Sequence, residues 1–373
     1  MISNLDDTVR IGIAFPAASD RDRDIADVDR LLYHLACVLE AIGFVEAVLA
    51  VDTGGNAADE ASLFAHRGAT IRLADADAAI DVLIVTPGVI AAEWLACFRA
   101  RGGRVVLVDP GSSHARLIET TLFDVPIAFS GAEPCDTVWL CGEARSSAPI
   151  LRAFYRCPVI PLPAIWCEAP AGGGAAGRAT YRRDSVTRDG ARPLILHHRS
   201  TAATMLVPLL ICEQAVRADG KTIDRVHLLH AHALREQATF AHLIASSELY
   251  RQHRITIEDG HRAPVLGADA NMVVAHQMGG VGHACYLDIV AAGFPLVHNL
   301  PALADVGYFY PGNAVDTGAA TLLAASRDHD RTLDDYRART ARAIARVAPR
   351  HPVVQTAYAR ALVATTAPAR AAA

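Results

Sequence analysis

The chain has 373 residues, 52% of them hydrophobic and 20% charged, and a formal net charge of −5 at pH 7. That length exceeds what one ordinary hydrophobic core supports and suits two domains, and the apolar content excludes a disordered chain. The mildly acidic balance supplies no basic field for a polyanion, so nucleic acid is excluded as a partner.

In the first half, short β-branched runs alternate with longer helical patterns, as in a parallel sheet covered by helices. Strands are expected over 9–15, 45–51, 81–86, 104–109 and 137–141, and helices over 23–43, 91–101 and 147–155. This is the pattern of a Rossmann-like domain. From residue 158 the texture changes to clustered Gly, Pro and Arg, which reads as a connection between domains. The glycines Gly172, Gly173 and Gly174 neither follow a strand nor open a helix, so a phosphate cradle is disfavoured there.

The alternation then restarts, with strands expected over 193–197, 225–230, 255–258, 271–276 and 295–298. The helices between them are expected over 202–218, 239–253 and 282–292, and terminal helices over 334–347 and 353–365. The division expected is a first domain over 1–165, a linker over 166–192, a second domain over 193–345, and a terminal helix over 346–373. That helix is expected to return to the first domain and to end in a frayed tail.

The eight cysteines include no C-x-x-C pair and lie mostly in apolar segments, which reads as buried free thiols of a reducing compartment. Met1 is followed by Ile2, Ser3, Asn4, Leu5 and two aspartates, unlike a secretory leader. The longest apolar run, 82–98, is interrupted by Pro87, Gly88 and Glu93. A cytoplasmic protein with no membrane span is the expectation.

In open α/β sheets ligands bind outside the carboxyl ends of the strands, so the residues just after each strand are the informative ones. In the second half these are His197, His198, Arg199, Ser200 and Thr201, then His230 and His232, then 258–260, then 276–282, then His298 and Asn299. Such a polar ring suits a polyhydroxylated, phosphorylated ligand. The turn with Gly279, Gly280 and Gly282 precedes a helix and can present backbone N–H groups to a diphosphate. His227, His230 and His232 have no carboxylate or Cys at ligand spacing, so no metal site is expected.

In the first half, Asp20 and Asp22 follow the first strand and are candidates for acceptor contacts, although a run such as SDRDRD is usually a solvated face. His34 is a weaker candidate for a base, since Leu31, Leu32, Leu35 and Val38 surround it at helical spacing and favour a packed or surface histidine. Asp328, His329 and Asp330 read as a loop before the terminal helices. Tyr308 and Tyr310 read as core residues or as a stacking surface. Ser112 and Ser113 lack a G-x-S-x-G context, and no G-x-G-x-x-G follows the first strand, which disfavours a hydrolase and a nicotinamide enzyme.

The segment 284–299, ACYLDIVAAGFPLVHN, resembles a stretch of many GT-B glycosyltransferases in which an acidic residue precedes a small-x-Gly-x-Pro strand start. More closely, 273–311 is similar to a bacterial family, domain of unknown function 2827, expected to be GT-B-like. The resemblance implies an α/β protein with two Rossmann-like domains facing across a cleft. It also implies a metal-independent glycosyltransferase with no permanently bound cofactor and a nucleotide-sugar as co-substrate, and it places the ribose-binding acid at Asp288. Retaining members commonly carry a glutamate shortly before that acid, where this chain has Met278, Gly279 and Gly280. His283 stands where relatives tend to carry Asn. Either the donor differs, or the role has moved to His276 or His283, or transfer has been lost.

If sugar is transferred, charge develops on the leaving diphosphate, and Arg199 with the 279–282 turn are the candidates to stabilise it. The catalytic candidates are thus Arg199, His276 and His283. The donor-binding candidates are His197, Ser200, Thr201, His230, Gly279, Gly280, Gly282, Asp288 and Asn299. The acceptor is expected to be a glycan, a small molecule or a protein. A sugar-nucleotide epimerase and a silent nucleotide-sugar-binding protein of the same fold are the alternatives.

Overall fold

The computed structural model describes every residue except 1–7, 16–23, 55–68, 110–117, 120–133, 143–144, 169–178, 197–203, 230, 232–233, 258–265, 279–283 and 368–373. The chain divides into two compact units. One holds the described residues of Met1–Gly174, Val281–Ala284 and Ala345–Ala373, the other those of Ala175–Gly280 and Cys285–Ile344. The protein is α/β, with one parallel sheet in each unit.

In the first unit seven strands pair in parallel: β1 (Val9–Phe15), β2 (Val45–Asp52), β3 (Thr70–Arg72), β4 (Val82–Val85), β5 (Arg104–Asp109), β6 (Thr137–Cys141) and β7 (Val159–Leu162). Their order is β3-β2-β1-β4-β5-β6-β7. Side chains alternate across a strand, so each strand feeds two cores. Ile11, Ile13, Val82, Ile84, Val106 and Val108 pack with α1 (Asp24–Leu39) on one side. Ala14, Leu83, Val85, Val105 and Leu107 face the other side, with α2 (Leu73–Ala79), α3 (Ala92–Ala100) and α4 (Ala148–Tyr155).

The terminal helix Pro352–Thr366 belongs to the first of these cores. Its fully buried Tyr358 sets its ring edge against Trp139 at 6.0 Å and donates to the Pro163 carbonyl at 2.9 Å. Two features of the first unit escaped the sequence reading. Residues 159–162, in the Pro-rich stretch read as connection, form β7, and the short pair of β3 and α2 was not anticipated.

The second unit holds β8 (Pro193–Leu196), β9 (Val226–Leu229), β10 (Ile255–Ile257), β11 (Met272–Val274), β12 (Leu296–His298) and β13 (Tyr308–Phe309). All pair in parallel in the order β10-β9-β8-β11-β12-β13. Counted from β8, this is the doubly wound order 3-2-1-4-5-6. The helices are α5 (Ser185–Asp189), α6 (Leu206–Ala218), α7 (Ala238–Ala245), α8 (Glu248–Arg251), α9 (Ala284–Ala291) and α10 (Val315–Val347).

The single helix expected over 239–253 is two helices, because polar groups restart the chain at Ser247. Its hydroxyl accepts from the Tyr250 amide at 3.1 Å. The buried Glu213 carboxylate on α6 accepts from the Glu248 and Leu249 amides at 2.8 and 3.1 Å. These bonds satisfy amides that a helix start leaves open.

The loop expected at Asp328, His329 and Asp330 is instead the middle of α10, 33 residues long. The polar run misleads because its buried members are partnered. The Asp330 carboxylate accepts from the Tyr181 hydroxyl at 2.8 Å and the Asp184 amide at 2.9 Å. His329, with 0% exposure, bonds the Gly293 carbonyl through Nε2 at 3.0 Å and the Tyr308 hydroxyl through Nδ1 at 3.0 Å. A carbonyl can only accept, so Nε2 carries the proton and Nδ1 accepts from Tyr308.

Burial pushes the His329 pKa down to about 4, against the Gly293 bond and Asp330, with Arg337 adding to the fall; Tyr181, Tyr308 and Tyr336 pack around the ring. A histidine that folds neutral stabilises the native state above its unfolded pKa and loses that contribution as pH falls toward its folded one. The second unit is therefore expected to lose about 3 kcal/mol between pH 6.5 and 4 from this residue. Urea unfolding at pH 7 and 4.5 checks it: His329→Gln should flatten that part of the pH dependence, and an unchanged slope would refute it.

Candidate functional site

Between β8 and β11 the sheet of the second unit changes its direction of winding, and ligands of doubly wound sheets bind outside the carboxyl ends at this point. His197, Arg199, Ser200 and Thr201 follow β8 in the sequence, but they lie outside the described residues. So do His230, Gly279, Gly280, Gly282 and His283, and, in the first unit, Asp20 and Asp22. The described part of the site is built from the end of β11, α9, and the ends of β12 and β13.

β11 starts from a fixed point. Asn271, at the foot of the strand, accepts from the Arg192 amide at 2.8 Å and donates to the Gly190 and Ser185 carbonyls at 2.8 and 3.2 Å. The strand Met272–Val274 is wholly buried and delivers Ala275, His276 and Gln277 to its carboxyl end.

His276 is 3% exposed. The Tyr310 hydroxyl donates to the Ala275 carbonyl at 3.2 Å, so its 2.9 Å bond to His276 Nδ1 is one it accepts. This assigns the ring proton to Nδ1 and the lone pair to Nε2. Nε2 is buried and makes no hydrogen bond of good geometry. Burial lowers the pKa of the ring, and the Asn313 side chain partly offsets it, so the imidazole is neutral near pH 7. The two rings stack at 6.1 Å, which holds the imidazole plane. A neutral, oriented imidazole whose acceptor nitrogen has no hydrogen bond of good geometry can take a hydrogen bond or a proton from a ligand hydroxyl.

Asn299, just past β12, is a clamp. Its Oδ1 accepts from the Gln277 amide at 2.8 Å, and its Nδ2 donates to the Gln277 carbonyl at 2.8 Å and the Gly312 carbonyl at 3.4 Å. The amide that was a donor-binding candidate is thus engaged with backbone and holds the ends of β11 and β12 together. His298 is structural in the same way. Its Nδ1 accepts from the Leu300 amide at 3.1 Å and its Nε2 donates to the Val306 carbonyl at 2.9 Å.

Gly307, between β12 and β13, has φ +64°, and a Cβ there would meet the Leu296 carbonyl oxygen at 2.8 Å. Backbone cannot yield as a side-chain end can, so Gly307→Ala is expected to destabilise the second unit by about 2 kcal/mol or more. Chemical denaturation measures this, and a change below about 0.5 kcal/mol would contradict the strain argument.

Asp288 stands half-buried on α9, in the helix that follows the glycine turn. Met278, next to that turn, is 56% exposed. His34 lies elsewhere: it is buried in the first unit, with Nε2 bonded to the Cys167 carbonyl at 3.1 Å and its ring against Tyr33 and Trp166. The structure brings His276 and Asn299 together through Gln277. It adds Tyr310 and Asn313, whose roles at the site sequence reasoning missed. Among the described residues no group of three or more His, Cys, Asp or Glu side chains is placed to hold a metal ion. No helix among them is long and apolar enough to cross a membrane.

A model of the family described as "Protein of unknown function (DUF2827)" matches residues 25–362. The chain belongs to this family. No curated protein matches the sequence. Among solved structures, this DUF2827 protein is similar to a glycosyltransferase from Rickettsia africae, with 9% identity and a TM-score of 0.55 over 96% of this chain and 98% of that one. It is also similar to HepE of Anabaena, solved in complex with UDP-glucose, with 11% identity and a TM-score of 0.54 over 95% and 100%. The chain spans 56% of the pneumococcal O-GlcNAc transferase GtfA, with 76% of its own length, 10% identity and a TM-score of 0.42. The two parallel-sheet domains of the DUF2827 protein thus have the fold of GT-B glycosyltransferases.

Proposed function

We propose that the DUF2827 protein is a cytoplasmic, metal-independent glycosyltransferase that moves a sugar from a nucleotide-sugar to a glycan, small-molecule or protein acceptor. The donor site lies at the carboxyl ends of β8 and β11. The observation that carries this reading is His276: a buried, neutral imidazole, oriented by Tyr310, whose Nε2 has no hydrogen bond of good geometry, at the winding change of a doubly wound sheet. The likeness in fold to glycosyltransferases, one of them solved with UDP-glucose, supports it.

In this reading Asp288 binds the donor ribose, and Arg199 with the amides of Gly279, Gly280 and Gly282 balances charge on the leaving diphosphate. His276 and His283 stand in for the missing glutamate beside the sugar, and His197, Ser200, Thr201 and His230 complete the donor contacts. Asn299 acts through the backbone by holding the ends of β11 and β12. Asp20 and Asp22 remain the acceptor-side candidates.

A second reading, nucleotide-sugar binding without transfer, is favoured by one observation: Met278, Gly279 and Gly280 occupy the place of the usual carboxylate. Incubation with UDP, GDP, dTDP, CMP and ADP sugars, with and without mixed glycan acceptors, and mass analysis of the products separates the two. Glycosylated product supports transfer. Binding without any turnover supports the second reading, and isomerised donor without an acceptor marks an epimerase.

A further inference from the structure

Four of the eight cysteines stand in two close pairs within the first unit, none of them in a disulfide. The Sγ atoms of Cys135 and Cys157 are 3.3 Å apart, and those of Cys37 and Cys167 are 3.0 Å apart. We propose that these pairs are two dithiol modification sites, each closing to a disulfide by exchange with a low-molecular-weight disulfide.

Backbone contacts tie the two chain segments together at both sites. Cys135 and Cys157 each stand two residues before the neighbouring strands β6 and β7, which pair Val138 with Val159. Adjacent strands run about 4.8 Å apart, a spacing compatible with the roughly 4.4–6.8 Å between the Cα atoms of a disulfide for residues near their starts. The Val138 amide and the Thr137 hydroxyl both donate to the Pro158 carbonyl, at 2.9 and 3.1 Å, and lock the two starts together. At the other pair, His34 and Cys37 are three residues apart on α1 and share a face. The His34 bond to the Cys167 carbonyl at 3.1 Å therefore seats Cys167 over the Cys37 thiol. Closing either bridge needs the sulfurs to approach by about 1 Å, to the bond length of about 2.05 Å.

The Cys135–Cys157 pair is also polarised. Cys157 is half-exposed, and its pKa is lowered, first by the hydrogen bond with Cys135 and further by Arg99, against burial and Asp136. Cys135 is buried, and its thiol is pushed up by the same bond and by burial. The Cys157 thiolate attacks one sulfur of the small disulfide, the S–S bond breaks, and one thiolate leaves and takes a proton from water. Cys135 then gives up its proton, attacks the Cys157 sulfur and releases the second small thiol. Two protein thiols are oxidised and one small disulfide is reduced to two thiols.

The test incubates the folded full chain with oxidised glutathione, quenches with acid, alkylates, and maps peptides by mass. The expected result is two cross-linked peptides, Cys135 to Cys157 and Cys37 to Cys167, each lighter by two hydrogens and free of glutathione, while the exposed Cys97 carries glutathione. Dithiothreitol should reverse both. In Cys135→Ser, Cys157 should keep a stable mixed disulfide; if that variant does not fold, the wild-type map decides alone. Glutathione retained on Cys157 or Cys37 in wild type, exchanged pairing, or alkylation of all four thiols while Cys97 reacts would overturn the proposal, pair by pair.

Discussion

His276→Phe is expected to lower kcat for sugar transfer by a factor on the order of 10² to 10³. The substitution keeps a planar, slightly larger ring in a buried site and removes both nitrogens, with the Nδ1 bond to Tyr310. Nε2 makes no hydrogen bond of good geometry within the protein, and the Tyr310 hydroxyl keeps its bond to the Ala275 carbonyl. The second unit should therefore still unfold cooperatively. Tyr310→Phe should give a smaller loss and a displaced pH profile, because it frees Nδ1 and with it the choice of tautomer. Steady-state kinetics against pH measures both. A kcat for His276→Phe within about twofold of wild type would make His276 a packed core residue.

Tyr358→Ala carries the largest expected effect on stability, about 3–5 kcal/mol. The side chain is fully buried, its edge is set on Trp139, and its hydroxyl closes a bond to the Pro163 carbonyl. Alanine leaves a cavity in a core that joins β1, β6, α1 and the terminal helix. Tyr358→Phe should cost only about 1 kcal/mol, the worth of the hydrogen bond. The three tryptophans, Trp94, Trp139 and Trp166, all lie in the first unit, so their fluorescence in urea follows that unit alone. A loss below about 1 kcal/mol for Tyr358→Ala would mean that the terminal helix adds little to the core it touches.

Strands such as Arg104–Asp109 and Thr137–Cys141 were legible in the sequence because a parallel strand buried on both faces reads as one apolar run. The short strands Thr70–Arg72 and Tyr308–Phe309 were not, since three or two residues carry no period. The buried middle of α10 was hidden because polarity normally signals exposure. His329 and Asp330 are buried by virtue of bonds to Tyr308, Gly293, Tyr181 and Asp184, from 21 to 149 residues away.

The candidate site was legible in position more than in role. The strand-end rule led to His276 and Asn299, and both stand past the ends of neighbouring strands. That Asn299 clamps Gln277 while Tyr310 orients His276 depends on contacts across 22 and 34 residues, which no spacing encodes. Tyr310 looked like any core tyrosine for the same reason. His34 drew notice as a possible base, yet its ring nitrogen serves the Cys167 carbonyl, 133 residues away.

The central claim is a nucleotide-sugar site on the second unit. Calorimetric titration of UDP, GDP, dTDP, CMP and ADP sugars into wild type and Asp288→Ala tests it most directly. A ribose held by a carboxylate is worth about 1.5–3 kcal/mol, so one donor base should bind wild type and lose roughly ten- to a hundredfold in affinity in Asp288→Ala. Absence of binding by every donor, or equal binding to both proteins, would contradict the account.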